Sequence, residues 1–231
     1  MRSHHQPVNR HCPWSGDPVA ANATASYRGH LVGFCNPDCR DKFASATAHF
    51  DQCLDEHPTP WHTYATYNQW FNQRLIDALR TLSPTQLWRD LGAVFGSIGV
   101  TLNHIMVWDL TWLRRIAADS AELPSLRVLD DFAVPSSHTD VLFADLERYG
   151  EARAVLDDAL ITFVSEVVAQ GVDRPLRYRT QDGTTFSKPL AGVLQHMFNH
   201  QTHHRGQVTA LLHQQGVDCG VTDLLAVLPD V

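Results

Sequence analysis

From Trp61 onward the apolar positions recur at helical spacing. Tyr64, Tyr67, Trp70, Phe71, Leu75 and Leu79 fall at i, i+3 and i+4 intervals and predict a first long helix ending near Leu82. Ser83-Pro84 marks a stop and a new start, because Ser caps a helix and Pro suits its first turn. A second helix is expected from about Gly96 to Ala118, with Ile98, Leu102, Ile105, Trp108 and Trp112 on its apolar side. Leu123 to Ser137, rich in Pro and Ser, reads as a long loop. A third helix is expected from about Thr139 to Ala169, with Val141, Leu142, Leu146, Leu156, Leu160, Phe163 and Val167 facing inward. Residues 176–186 carry a hairpin signal around Asp182-Gly183. A fourth helix runs from about Pro189 to Gln215 and stops at Gly216. Four such helices bury their apolar faces most simply as a mainly α, four-helix bundle.

Residues 1–55 have a different pattern. Cys12 to Pro18 reads as a tight turn and Ser26 to Phe34 as a short hairpin with Arg28-Gly29 near its tip. Asn36-Pro37-Asp38 opens a short helix from Cys39 to about Phe50. A ββα unit this small seldom holds a core without a metal or disulfide staple. Residues 56–60, with two prolines, form the expected linker to the bundle at 61–231.

Composition narrows the function classes. The chain has 231 residues, 44% hydrophobic and 19% charged, as ordered globular proteins do. Its formal net charge of −7 argues against nucleic acid and against an anionic membrane surface as partners. No apolar run is long enough to span a bilayer, and Met1 to Arg10 lacks the apolar segment of a secretory signal, so a cytoplasmic location is expected. Gly-rich phosphate loops and the Gly-x-Ser-x-Gly elbow are absent from the sequence. The outlier is histidine, at 14 residues. The five cysteines are an odd number, which in a reducing compartment points to metal or redox chemistry before disulfides.

His196, His200 and His204 recur at i, i+4, i+8 on the fourth helix. Neighbours four apart share a helix face and can grip one ion, but the outer pair lie about 12 Å apart along the axis. Two of the three therefore bind, and a third ligand comes from another helix. His104, set among apolar residues of the second helix, is the candidate. Three histidine ligands leave open positions for water or substrate, as catalytic metal sites do. The bland alternative is a fortuitous surface run, with His203 and His213 solvated. Asp109, five residues after His104, is expected either to support a metal-ligating histidine or to be a solvated acid. Arg205 is a candidate for an anionic substrate group or a structural ion pair.

Cys12, Cys35 and Cys39 make a second candidate site. Two thiolates four apart at a helix start, with a third from an earlier turn, suit Zn²⁺. Cys53, His30, His11 and His49 are candidates for a fourth ligand. Buried free cysteines or a reactive thiol cluster are the other readings.

Tyr67-Asn68-Gln69-Trp70-Phe71-Asn72, Phe95-Gly96-Ser97-Ile98, Thr101-Leu102-Asn103-His104 and Asn199-His200-Gln201-Thr202-His203-His204-Arg205-Gly206-Gln207 resemble the DinB family in order and spacing, over about residues 61–228. The resemblance implies an up-down-down-up four-helix bundle, often a homodimer. It implies a divalent metal (Zn, Ni or Fe) on His104, His200 and His204, with His196 the extra member, at the edge of the site or unrelated to it. It also relates the chain to thiol-dependent S-transferases and isomerases. The expected function is thiol-dependent transfer or isomerisation, or a hydrolytic variant, on a small electrophile with a low-molecular-weight thiol as cofactor. The alternative is a non-catalytic metal-binding or stress-responsive protein. Residues 12–50 resemble a TRASH or YHS-type metal-binding module, which implies zinc at the three cysteines.

Overall fold

The computed structural model describes residues 6–27, 30–54, 59–120 and 123–228, and for 48–54 the backbone alone. The chain is mainly helical. Near its start, β1 (Thr24–Tyr27) pairs antiparallel with β2 (His30–Gly33), Thr24 opposite Gly33, and α1 (Pro37–Leu54) follows. The expected hairpin tip, Arg28-Gly29, residue 55 and residues 56–58 of the expected linker lie outside the described residues. The remaining elements are α2 (Pro60–Leu79), α3 (Pro84–Trp88), α4 (Ile98–Asp119), a 3-10 turn at Pro124–Asp131, α5 (Leu146–Ala169), the hairpin of β3 (Pro175–Arg179) and β4 (Thr185–Pro189), α6 (Leu190–Gln214), and a last 3-10 turn at Leu224–Val227. Among the described residues, no helix is long and apolar enough to cross a membrane.

Helix α2 packs on α5 and α6, and α4 packs on α6. Leu75, Leu79, Leu102, Met106, Leu160, Phe163, Leu194 and Val208 fill the space between them. Sequence chemistry sets the helix ends. Ser97 Oγ accepts from the Val100 amide at 3.2 Å and starts α4. Gly216, at φ +75°, follows α6 where a residue with a Cβ would be strained. Gly99 matters for closeness instead: a Cβ there would stand 2.8 Å from the Trp88 ring.

Helix α5 starts later than its hydrophobic period suggests. The pattern of Val141 and Leu142 continues into Leu146, yet 139–145 is not helical and Val141 is exposed. Asn103 of α4 supplies the reason. Its amide donates to the Phe143 carbonyl and its carbonyl accepts from the Phe143 amide, at 2.9 and 2.8 Å. The backbone is thereby satisfied outside a helix, and Asp145 caps α5 by accepting from the Arg148 amide at 2.9 Å. The expected loop at 123–137 likewise contains a 3-10 turn, with Arg114 donating to the carbonyls of Leu129 and Phe132.

The N-terminal elements have their own small core of Cys12, Ala23, Phe34 and Cys39, with Phe43 against it. They rest on the helices through β1 on α5 and α1 on α2. Ser26 donates to Asp158 of α5, and Arg40 pairs with Asp77 of α2. Near the other end of the chain, Val227 packs against Tyr67, Trp70 and Phe71, and the Tyr67 hydroxyl donates to the Thr222 carbonyl at 2.6 Å.

Candidate metal centres

His200 and His204 stand one turn apart on α6, and α4, packed against α6, presents His104 to them. The ring centroids are 4.3 Å apart for His200 and His204, 4.7 Å for His104 and His204, and 5.2 Å for His104 and His200. One ligand atom from each lies within 4.8 Å of the other two. His104 and His204 are buried and His200 half-buried.

Two of the rings are held from behind. Nδ1–H of His104 donates to the His138 carbonyl at 2.9 Å, and Nδ1–H of His204 donates to Oε1 of Gln207 at 2.8 Å. Each bond fixes the tautomer that leaves Nε2 as a bare lone pair. His200 has no hydrogen-bond partner among the described residues. Phe95 stacks on His104 with centroids 4.0 Å apart and meets His204 edge-on at 5.4 Å. Gly96, at φ +73°, makes the turn that carries Phe95, and its carbonyl accepts from the Leu91 amide. Trp108 lies against both His104 and His200, with centroids 6.3 and 6.1 Å away.

Burial lowers the pKa of all three imidazoles, because charging them costs solvation. His200 is taken furthest, to about 3, with the neighbouring histidines adding to the effect of burial. Three neutral imidazoles, two held in a ligand-ready tautomer and one without a protein partner, suit a divalent cation of borderline softness.

The other residues singled out from the sequence fall elsewhere. His196 is exposed one turn before His200 and packs edge-on against Trp112 at 5.5 Å, outside the group of three. His203 and His213 are exposed. Asp109 is not a solvated acid. It is buried in the core, where Arg153 Nη1 donates to it at 2.5 Å and Gln201 Nε2 at 2.8 Å. Nor does Arg205 reach the histidines' open side. It is 1% exposed, its Nη1 donates to Asn68, and its guanidinium lies over the Tyr67 and Phe71 rings at 5.4 and 4.8 Å. These residues belong to one buried polar network. Arg153 Nη2 also faces Asp157 at 2.8 Å, and Asp157 accepts from Asn68 at 2.7 Å and Asn72 at 3.0 Å.

Cys12, Cys35 and Cys39 form the second group whose ligand atoms lie within 4.8 Å of one another. Sγ of Cys35 is 3.5 Å from that of Cys39, 3.1 Å from Ser15 Oγ and 3.3 Å from Asn36 Nδ2. Burial works against ionising Cys12, but backbone amides of Ser15, Cys35 and Trp14 more than offset it and bring the thiol to about 6. Cys39, hydrogen-bonded to Cys35 and buried, is pushed up to about 11. One thiol poised to ionise, Cys12, beside one that resists it, Cys39, suits a cluster that gives up a proton when a cation binds. Of the candidates for a fourth ligand, His11 and His30 are exposed and stand outside the group, while the side chains of His49 and Cys53 lie outside the described residues.

Sequence reasoning missed Gln207, the His138 carbonyl, Arg153 and Asp157. Gln207 had a signal, standing at i+3 from His204 on the same helix. The His138 carbonyl had none, since its position depends on the Asn103 clamp.

Residues 54–229 match the family model described as DinB family. The chain belongs to the DinB family. Protein DinB of Bacillus subtilis (strain 168) is 27% identical to it over 159 residues, a stretch covering 68% of this chain and 87% of that protein. No solved structure matches the chain. In this DinB-family chain His104, His200 and His204 lie inside the matched stretch, and Cys12, Cys35 and Cys39 precede it.

Proposed function

We propose that this DinB-family chain is a metal-dependent enzyme of the thiol-dependent transferase, isomerase or hydrolase type, acting on a small electrophile. His104, His200 and His204 would hold a divalent cation, zinc, nickel or iron. The observation that carries the reading is the number of ligands: three imidazoles converge, and among the described residues no carboxylate or thiol joins them. A three-ligand cation keeps positions for an exchangeable group, which sealed structural sites do not. When bound, the cation supplies Lewis acidity, lowering the pKa of a thiol or water that reaches it. The protein's part is to orient His104 and His204 through His138 and Gln207. Phe95 and Trp108 line the site with apolar surface and limit water around it.

The finer architecture belongs to the same proposal: residues 61–231 as an up-down-down-up four-helix bundle, residues 1–55 as a TRASH or YHS-like module holding zinc on Cys12, Cys35 and Cys39, and residues 56–60 between them. A homodimer in the cytoplasm, with a low-molecular-weight thiol as cosubstrate and neither nucleic acid nor membrane as partner, completes it.

Elemental analysis of untagged protein tests the reading. Wild type is expected to carry near two ions per chain, His200→Ala and Cys35→Ala to lose one each, and only the first to lose turnover of thiol with electrophile. Metal retained in full by His200→Ala overturns the histidine assignment. An ion lost only from Cys35→Ala transfers weight to the non-catalytic, stress-responsive metal-binding reading.

A further inference from the structure

A cavity of about 620 Å³ lies between the N-terminal elements and the face of α2 and α5 that they cover. This is within the range of small-molecule sites, roughly 300–1,000 Å³. It is separate from the candidate metal centres, since neither the three histidines nor the three cysteines line it. Tyr27 and Phe43, in edge-on contact with centroids 5.5 Å apart, give it aromatic surface, and Trp70 adds more from α2.

The charges around the cavity are unequally partnered. Arg40 is paired with Asp41 and Asp77, and Arg153 lies between Asp109 and Asp157. Asp158 is the exception. Its carboxylate accepts from the Ser26 hydroxyl and from Gln69 Nε2, at 2.7 Å for the latter, and both donors are neutral. Among the described residues no cation meets it. A carboxylate has about four acceptor positions, so two donors leave capacity for a third group. Burial raises its pKa, with Asp157 adding to the effect, as expected of an anion lacking a counter-ion.

We propose that this cavity binds a small organic cation, an ammonium group on an apolar body, with Asp158 as its counter-ion. A partly buried carboxylate without a cation is costly, and an incoming ammonium relieves that cost. Tyr27 and Phe43 attract the same charge through their ring faces while receiving the apolar body. An anionic ligand would meet Asp158 with like charge and find both guanidiniums already paired.

The test uses the full chain and two probes, 2-phenylethylammonium and benzyltrimethylammonium, with 2-phenylethanol and 3-phenylpropionate as neutral and anionic counterparts. Binding is read by titration calorimetry and ligand-observed NMR. At least one ammonium probe is expected to bind wild type about tenfold or more tightly than either counterpart, a difference of about 1.4 kcal/mol. Asp158→Asn keeps an acceptor for Gln69 and offers the Ser26 hydroxyl an amide donor in place of the second oxygen, and is expected to lose about tenfold in that affinity, with its melting temperature checked for an intact fold. Ala154→Phe, which places bulk in the cavity, is expected to abolish binding, and His204→Ala to leave it unchanged. Failure of both ammonium probes to bind, equal binding of 2-phenylethanol, unaltered affinity in Asp158→Asn, or loss of binding in His204→Ala each overturns the proposal.

Discussion

Gln207 and His204 are one turn apart on α6, and Oε1 of the first accepts from Nδ1–H of the second at 2.8 Å. The bond occupies Nδ1 and leaves Nε2 as the nitrogen with a free lone pair in the group with His104 and His200. His104 gets the same service from a backbone carbonyl, which substitution cannot remove. Gln207 is therefore the accessible orienting group. Gln207→Ala is expected to weaken metal binding about 10- to 100-fold while leaving the histidines able to bind. Competition against a chelator of known affinity measures it, and an unchanged affinity would show that the ring is held by packing alone.

A second prediction concerns Arg153. Its guanidinium lies between two buried carboxylates, Asp109 and Asp157, both of whose pKa values burial raises. Arg153→Ala would leave two carboxyls without their cation in the core. The expected cost is about 3–5 kcal/mol of stability, read from urea unfolding. Asp157→Asn, which keeps an acceptor for Asn68 and Asn72, is expected to cost less.

The metal-free protein should lose stability in acid because of the histidine group. His200 has a folded pKa of about 3 against an ordinary value of 6.5, lowered by burial and then by its histidine neighbours. Between those values the unfolded chain takes up a proton that the folded chain does not. Stability therefore falls as pH drops from about 6.5 toward 3. His104 and His204 shift the same way. Denaturation midpoints of the metal-free protein over this window should fall more steeply for wild type than for His200→Gln, and equal slopes would be inconsistent with a buried neutral imidazole.

The cysteine group should depend on pH in the opposite range. Cys12 ionises near 6, but Cys39 holds its proton up to about 11 in the metal-free state. A zinc ion held by Cys39 would have to displace that proton. Zinc affinity, measured on His200→Ala so that only this group reports, is expected to rise about tenfold per pH unit between 7 and 9. A flat profile would mean that Cys39 is not a ligand.

How much of this was legible in the sequence depends on the range of each interaction. Helical spacing alone puts His196, His200 and His204 on one face and lets two of them act together; the choice of His200 and His204 comes from the resemblance to the DinB family, while the long helices follow from their apolar periods. The fates of Asp109 and Arg205 do not. Both are charged residues on otherwise apolar helix faces, and whether such a residue meets solvent or substrate is decided by partners far along the chain. Asp109 finds Arg153 on α5, and Arg205 finds Asn68 and two aromatic rings on α2. The start of α5 departs from its apolar period for a related reason. Val141 and Leu142 continue the period, but the Asn103 side chain competes for the Phe143 backbone and wins. That competition positions the segment whose His138 carbonyl orients His104.

Along α6, members of the histidine group and core-anchored residues are sequence neighbours: His200 precedes Gln201, and His204 precedes Arg205. Adjacent positions on a helix differ by about 100° around its axis. The histidines thus point to one side while Gln201 and Arg205 are fastened on another, to Asp109 and to Asn68. Any roll of α6 that swung its imidazoles away from His104 would tear both fastenings from the core. The buried polar network acts as a key in a shaft, fixing the angle at which α6 meets its neighbours, so mutations at Asp109 or Asn68 should spread the two α6 imidazoles away from His104 without touching any of the three.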